Sequence, residues 1–349
     1  MSRMQYDQHR HPIQSRKWAG HEVFPQSGLN SSPPRNGAPL TESNLPLQHG
    51  KVFIVTGASS GLGYELTRIL YGAGGNVYML TGSRENAEAA AARIKASYSD
   101  SGIVGPARTR GTIEFIEMDL MDLHSVKRAA QAFQSRESRL NILFNNAGTG
   151  ARKDAPLSAQ GHEYHFSINV LGGFLLTRLL NPTLSQTARN LPPNSVRVVW
   201  PASILVEMMS PKTGINPRFL EDPRTAAWFL ASEFARRQSS TNTPVVFIAG
   251  NLGNYVTNIW RHTPALLYYI LRPILRNPVH GAEIYLWMAF SESVTGEEAQ
   301  AGAYAICDGR WHPAQRSDLV LALRTFAEGG SGRASELFDW CEARVEEFV

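Results

Sequence analysis

From Gly50 onward the chain alternates short apolar runs with amphipathic stretches. Val52-Phe53-Ile54-Val55 is a continuous apolar run that stops at a glycine-rich turn, the pattern of a strand buried on both faces. The spacing predicts a helix over Leu62–Tyr71, ended by Gly72 and the Gly74-Gly75 pair. Val77–Leu80 reads as a second strand and Glu85–Ser97 as an alanine-rich helix. Ile113–Met118, then Ser125–Phe133, repeat the unit. Ile142-Leu143-Phe144 predicts a fourth strand, with one long helix over Glu163–Leu180. Val196–Trp200 is a fifth strand, Ala226–Arg237 a helix and Val245–Ile248 a sixth strand. Helices lie between Pro264 and Ser291, and Ala303–Ile306 is a seventh strand.

Alternating strands and helices require a parallel sheet covered on both faces. Right-handed crossovers make a doubly wound sheet the simplest topology. The expected fold is therefore α/β, a doubly wound parallel sheet of the Rossmann kind, in one domain over residues 49–349. Ligands of such sheets bind beyond the carboxyl ends of the strands.

Residues 1–48 break the pattern. They are rich in Pro, Ser, Asn, Gln and His and carry neither helical nor strand periodicity, so a flexible, disordered or loosely packed N-terminal extension is expected. Composition bounds the rest. Apolar residues make up 43% and charged residues 18%, enough apolar material for a core. The net charge of +4 comes with no Lys/Arg block, which argues against a nucleic-acid partner. Cys307 and Cys341 have no metal-type spacing, and His162 and His165 lack a third ligand, so no metal site is expected. No apolar run approaches the roughly 20 residues of a spanning helix, and no leader is evident. A cytoplasmic protein without a transmembrane segment is the expectation.

The chemistry concentrates in the loop Thr56-Gly57-Ala58-Ser59-Ser60-Gly61-Leu62-Gly63 between the first strand and first helix. Gly57 permits a hard turn, Gly61 lets backbone approach a diphosphate, and Gly63 lets the helix pack close to the sheet. The helix start then offers free N–H groups and a positive dipole end to phosphates. Ser59 and Ser60 add hydroxyl donors. A glycine-rich turn alone is also compatible with a plain strand-to-helix connection.

Further motifs end successive strands. Asp119-Leu120 closes the third, Asn145-Asn146-Ala147-Gly148 closes the fourth, and Ser203 follows the fifth. Asn251-Leu252-Gly253-Asn254-Tyr255-Val256-Thr257 follows the sixth, and Asn169 lies in Phe166–Gly172. Together these resemble the short-chain dehydrogenase/reductase family from about Gly50 to the C-terminus. The resemblance is closest to a fungal secondary-metabolism subgroup, on Ser210-Pro211-Lys212, Arg261-His262 and Glu328–Gly332. It implies a nicotinamide dinucleotide held by Gly57, Ser59, Ser60, Gly61, Leu62, Gly63, Asp119, Leu120, Asn146, Ala147, Gly148 and Thr257. It implies catalytic roles for Ser203 and for Asn169, the latter holding a water. It also implies a homodimer or homotetramer.

No acidic residue ends the second strand, which runs Leu80-Thr81-Gly82-Ser83-Arg84. An acid there would bond the 2′-hydroxyl of NAD, whereas Arg84 can pair with a 2′-phosphate. NADP (NADPH) is favoured over NAD; the alternative is that Arg84 only begins a solvated helix. The family's Tyr-x-x-x-Lys pair is not matched. Counting back from Ala231-Ser232-Glu233-Phe234-Ala235-Arg236-Arg237 places Leu220 and Arg224 at its positions. Four readings stay open: an oxidoreductase using another donor such as Ser203 or a water on Asn169, a binder performing a non-redox step, a catalytically silent module, or a chain lacking a piece near Thr213–Thr225.

Finally, Pro264–Leu271 and Arg272-Pro273-Ile274-Leu275 are strongly apolar, within a lid region over residues 258–292. An apolar lid suits a bulky, greasy small-molecule substrate; the resemblance implies a ketone or alcohol of secondary metabolism, such as a polyketide-type compound. A membrane surface or a second subunit are the other coverings such a segment could find.

Overall fold

The computed structural model describes residues 38–99, 110–150, 152–215, 223–239, 245–307 and 309–349. Strand β1 (Val52–Thr56) is buried along its whole length and leads into α1 (Gly61–Gly72). β2 (Asn76–Thr81) and α2 (Arg84–Ser99) follow, then β3 (Thr112–Glu117), α3 (Leu123–Gln134) and β4 (Ile142–Phe144). The next helical stretch is α4 (Tyr164–Phe166), a π-turn over Ser167–Leu171 and α5 (Gly172–Arg189). β5 (Val196–Ala202), α6 (Leu205–Met209), α7 (Pro223–Ser239) and β6 (Val245–Asn251) come next. Beyond it lie α8 (Ala265–Leu271), α9 (Pro278–Phe290), α10 (Gly296–Gln300), β7 (Tyr304–Ile306), β8 (Arg310–Trp311), α11 (Ser317–Leu323) and α12 (Arg333–Val345).

Among the described residues eight strands form one sheet in the order β3-β2-β1-β4-β5-β6-β7-β8, parallel except for β8. The expected doubly wound α/β sheet is what forms. The switch point lies between β1 and β4, where the order reverses, and the glycine-rich turn sits there. Phe53, Phe144, Trp200 and Phe247, from four neighbouring strands, are fully buried in the core.

Three local features differ from the sequence reading. The helix predicted unbroken over Glu163–Leu180 carries the π-turn at Ser167–Leu171, the kind of insertion that leaves hydrophobic periodicity nearly unchanged. β8 is two residues long, too short for an alternation signal. The loose extension predicted through residue 48 ends earlier. Leu45 is buried in the core, the Gln48 amide donates to the Ala73 carbonyl at 2.9 Å, and Glu42 pairs with Arg68 at 2.8 Å. One apolar anchor between Asn44 and Pro46 has no period to announce it. Residues 1–37 lie outside the described residues.

Candidate active site

Gly57 takes φ +65° and its N–H donates to the Leu80 carbonyl at 2.8 Å, which bends the chain sharply out of β1. A Cβ there would stand 3.0 Å from Ala147 Cα. At Gly61, φ is +57° and an added Cβ would meet the Thr257 side chain at 3.2 Å. At Gly63 it would strike Asn146 Nδ2 at 2.5 Å and the Gly57 carbonyl at 2.6 Å. The three glycines are thus required by the loop's neighbours: Ala147 and Asn146 from the end of β4, and Thr257 from beyond β6. Ser60 is the N-cap of α1 but makes no side-chain capping bond, and the first-turn N–H groups of any helix lack intrahelical partners. Ser59 Oγ lies 3.4 Å from Thr81 Oγ1, which ties the loop to β2.

Asn146 and Ala147 lock this rim to β1. Asn146 Nδ2 donates to the Thr56 carbonyl at 2.8 Å, the Ala147 N–H donates to Thr56 Oγ1 at 2.8 Å, and Tyr285 donates to Asn146 Oδ1 at 3.1 Å. Gly148 is exposed, with Asn169 Oδ1 3.3 Å from where a Cβ would stand. The Leu62 side chain instead packs against Gly281, and the Leu120 side chain against Gly172, so what they present to the rim is backbone. Asp119 is exposed at the end of β3, accepting from the Met121 N–H at 2.9 Å. Thr257 caps a 3₁₀ turn over Asn258–Trp260. The structure therefore gathers Gly57, Ser59, Ser60, Gly61, Gly63, Asn146, Ala147, Gly148 and Thr257 at one edge of the sheet, with Asp119 at the end of a strand two places along.

Arg84 begins α2, lies 4.8 Å over the Phe115 ring and pairs with Glu88 at 3.6 Å, both side chains well exposed. Both expected roles, solvated helix start and cation beside the rim, are compatible with that position.

Asn169 sits inside the π-turn and holds the residue after Gly148. Its Oδ1 accepts from the Thr149 N–H at 2.9 Å, and its Nδ2 donates to the Thr149 carbonyl at 3.2 Å. One N–H and one lone pair are left for a water. Ser203 Oγ accepts from the Leu205 N–H at 3.2 Å at the start of α6, which leaves its own proton free to donate. The Ser203 carbonyl accepts from Tyr304 at 3.0 Å. Leu220 lies outside the described residues, and of Arg224 only its place in the first turn of α7 is described.

Two groups escaped the sequence reading. Tyr164 is buried one and a half turns before Asn169, and Thr149 Oγ1 donates to its hydroxyl at 3.4 Å. Burial raises this phenol, but hydrogen bonds from Thr149, Arg152 and Arg261 and the Arg261 charge outweigh it and hold it below the ordinary tyrosine value. The only sequence signal was its place on the same predicted helix as Asn169. The second group is Glu207 on α6, four residues after Ser203, with its carboxylate 3.9 Å from His312 Nε2. Burial pushes Glu207 up and His312 down, so both are driven toward their neutral forms despite the short distance. His312 is distant in sequence and no local pattern announces the pairing.

The chain can be compared with known proteins on this footing. The family model for short chain dehydrogenase matches residues 51–191. A short-chain dehydrogenase/reductase of Phomopsis amygdali is 38% identical over 345 residues, covering 95% of this chain and 97% of the relative. One from Neocamarosporium betae is 36% identical, covering 88% of this chain and 90% of its own length. A solved structure from Mycobacterium paratuberculosis superposes with a TM-score of 0.62 at 25% identity, covering 88% of this chain and 97% of that one. Among the described residues no helix is long and apolar enough to cross a membrane.

Proposed function

The chain belongs to the short-chain dehydrogenase/reductase family of oxidoreductases, and from that premise we propose that it binds NADP(H) and interconverts a ketone and an alcohol on an apolar secondary metabolite. The observation that carries the reading is the set of three glycines whose absent Cβ atoms make room for Ala147, Asn146 and Thr257 around one helix start. Support for the fit comes from Ser60, whose hydroxyl is not spent on capping, and from the positive end of α1. In this reading Gly57, Ser59, Ser60, Gly61, Leu62 and Gly63 hold the diphosphate. Asp119 and Leu120 flank the adenine, and Asn146, Ala147, Gly148 and Thr257 bracket the nicotinamide end. Arg84 supplies the charge for a 2′-phosphate.

When bound, the cofactor supplies or accepts a hydride. The chain's own residues handle the substrate oxygen and its proton. Ser203 donates its free hydroxyl proton as a hydrogen bond to that oxygen, and Asn169 fixes Thr149 beside it. Tyr164 is the acid: donors from Thr149, Arg152 and Arg261 surround its oxygen and stabilise the phenolate left after proton release. This assigns to Tyr164 and Arg261 the work that the family's pair performs elsewhere. Of the region 258–292 expected as a lid, residues 278–290 form α9 and are largely buried in the core; the segment before it is stemmed by two bonds, Val256 N–H to the Arg276 carbonyl at 3.0 Å and Arg276 N–H to the Asn254 carbonyl at 3.1 Å. Its half-buried Tyr268, Leu271 and Leu275 give an apolar substrate an apolar covering.

Titration of the purified protein with NADPH and NADH, followed by turnover assays on apolar ketones, tests the reading. Binding of NADPH at least tenfold tighter than NADH, reduced by Arg84→Ala, together with turnover, is the expected result. A second reading, cofactor binding without redox turnover, is favoured by Leu220 at the usual donor position. Tight NADPH binding with no turnover on any ketone would select it, and absence of binding would remove both.

A further inference from the structure

The lid helix α8 has two apolar faces. Tyr268 and Leu271, three residues apart on one side of the helix, are half-buried, as is Leu275 just beyond it. The opposite side carries Leu266 at 76% exposure, Tyr269 at 70% and Ile270 at 64%, and Ile274, in the 3₁₀ turn that follows, is 68% exposed. A lid that only closes over a substrate needs one apolar face, and its outer face should be polar. Exposed side chains of this size gathered on one short helix mark an interaction surface.

Charge says what kind. No Asp or Glu occurs between Glu233 and Glu283, a stretch that contains α8 and the segment to Arg276. Within it Arg261 and Arg272 are exposed, flanking α8 before and after, and Arg276 follows four residues after Arg272. Trp260, Tyr268 and Tyr269 stand beside them, amphipathic rings of the type enriched where hydrocarbon meets water. A helix with an apolar outer face, flanking arginines and no carboxylate is complementary to an anionic lipid surface. A second copy of the chain would bring the same positive charges against each other.

We propose that α8 and the segment to Arg276 dock on anionic phospholipid bilayers, seating Leu266, Tyr269, Ile270 and Ile274 in the interface while Arg272 and Arg276 meet the headgroups. The lid then opens toward the phase in which an apolar substrate concentrates. This docking needs neither cofactor nor turnover, so it stands or falls separately from the proposed reaction.

Flotation of the full chain with vesicles tests it. With about three parts phosphatidylcholine to one part phosphatidylserine the protein floats, and with phosphatidylcholine alone it partitions at least tenfold less. Raising salt to ~0.5 M, where charge interactions are screened within a few ångströms, releases most of it. Arg272→Glu changes two charge units at about fivefold each, lowering partitioning about twenty-fivefold. The double variant L266S/I270S loses flotation while keeping the wild-type melting temperature, since both side chains are already exposed. Equal binding to neutral and anionic vesicles, or none to either, overturns the proposal. So does a dimer in solution that L266S/I270S dissolves while wild type ignores vesicles, which would make the face a contact between copies.

Discussion

Asn169 grips Thr149 with both ends of its amide, accepting from the backbone N–H at 2.9 Å and donating to the carbonyl at 3.2 Å. The pair joins the π-turn to the segment that leaves β4, so the helix fixes the rim's last backbone unit. Asn169→Leu keeps the volume but removes both bonds and leaves Thr149's polar groups without their side-chain partners. A loss of about 1–3 kcal/mol in denaturant unfolding is expected. Asn169→Asp keeps an acceptor but loses the donor, and should cost less than Asn169→Leu. Equal stability of all three proteins would show that the clamp does not hold.

Gly63 tests the rim itself. An alanine methyl there would stand 2.5 Å from Asn146 Nδ2 and 2.6 Å from the Gly57 carbonyl, so either α1 or the Asn146 amide must move. Both movements disturb the surface to which we assign the cofactor. Gly63→Ala should raise the Kd for NADPH tenfold or more, measured by fluorescence titration. Gly50→Ala serves as the control, because nothing lies within 4 Å of a Cβ at Gly50; its positive φ strains the fold without touching the rim. Equal loss of affinity in both variants would mean that backbone strain, and not the rim, sets binding.

Most of the fold was legible in the sequence because β1, β4 and β6 are apolar runs, buried along their length, that end on or just before a motif. Val52–Val55 stops at Gly57, Ile142–Phe144 at Asn145, and Val245–Ile248 a few residues before Asn251. Burial on both faces writes the strand, and the strand end delivers the motif to one edge. Contacts that join distant segments left no such trace. Tyr164 meets Arg261 across almost a hundred residues, and Glu207 meets His312 through packing alone. Leu62 and Leu120 illustrate the reverse: their place in the motif was plain, but the side chains point into Gly281 and Gly172, and only backbone is left to face a ligand.

The proposed acid makes a pH prediction. Tyr164 must be protonated to give a proton, and its donors hold it below the usual tyrosine value of 10.0. Ketone reduction should therefore decline as pH rises through a value below 10.0, while cofactor binding persists. Arg261→Gln removes its charge, leaving at most a weaker neutral donor, so the declining limb should move upward in pH. Tyr164→Phe should lower kcat about a hundredfold or more, within the range of a lost general acid, and erase the limb. A limb that Arg261→Gln leaves in place would assign the proton to another group, with Ser203 the next to test.

Glu207 makes the opposite kind of prediction, on stability. Burial raises its folded-state value above the ordinary glutamate value of 4.5, against the weaker pull of Arg316. The native protein then binds this proton more tightly than the unfolded chain does. Its stabilising contribution is full below 4.5 and is lost as pH rises through the raised folded value. His312 works at the other end: burial lowers it from 6.5, so stability is lost as pH falls from 6.5 toward the depressed value. Glu207→Gln, a neutral isostere, escapes the first loss. Melting temperatures taken across pH should therefore show the variant gaining on wild type as pH rises above 4.5, with no such gain at pH 4 and below. His312→Gln should instead gain on wild type as pH falls below 6.5. If wild type and Glu207→Gln kept a constant difference throughout, the carboxyl would have to be ionised in the folded protein, and its environment would be far more polar than its burial against Tyr304 and His312 implies.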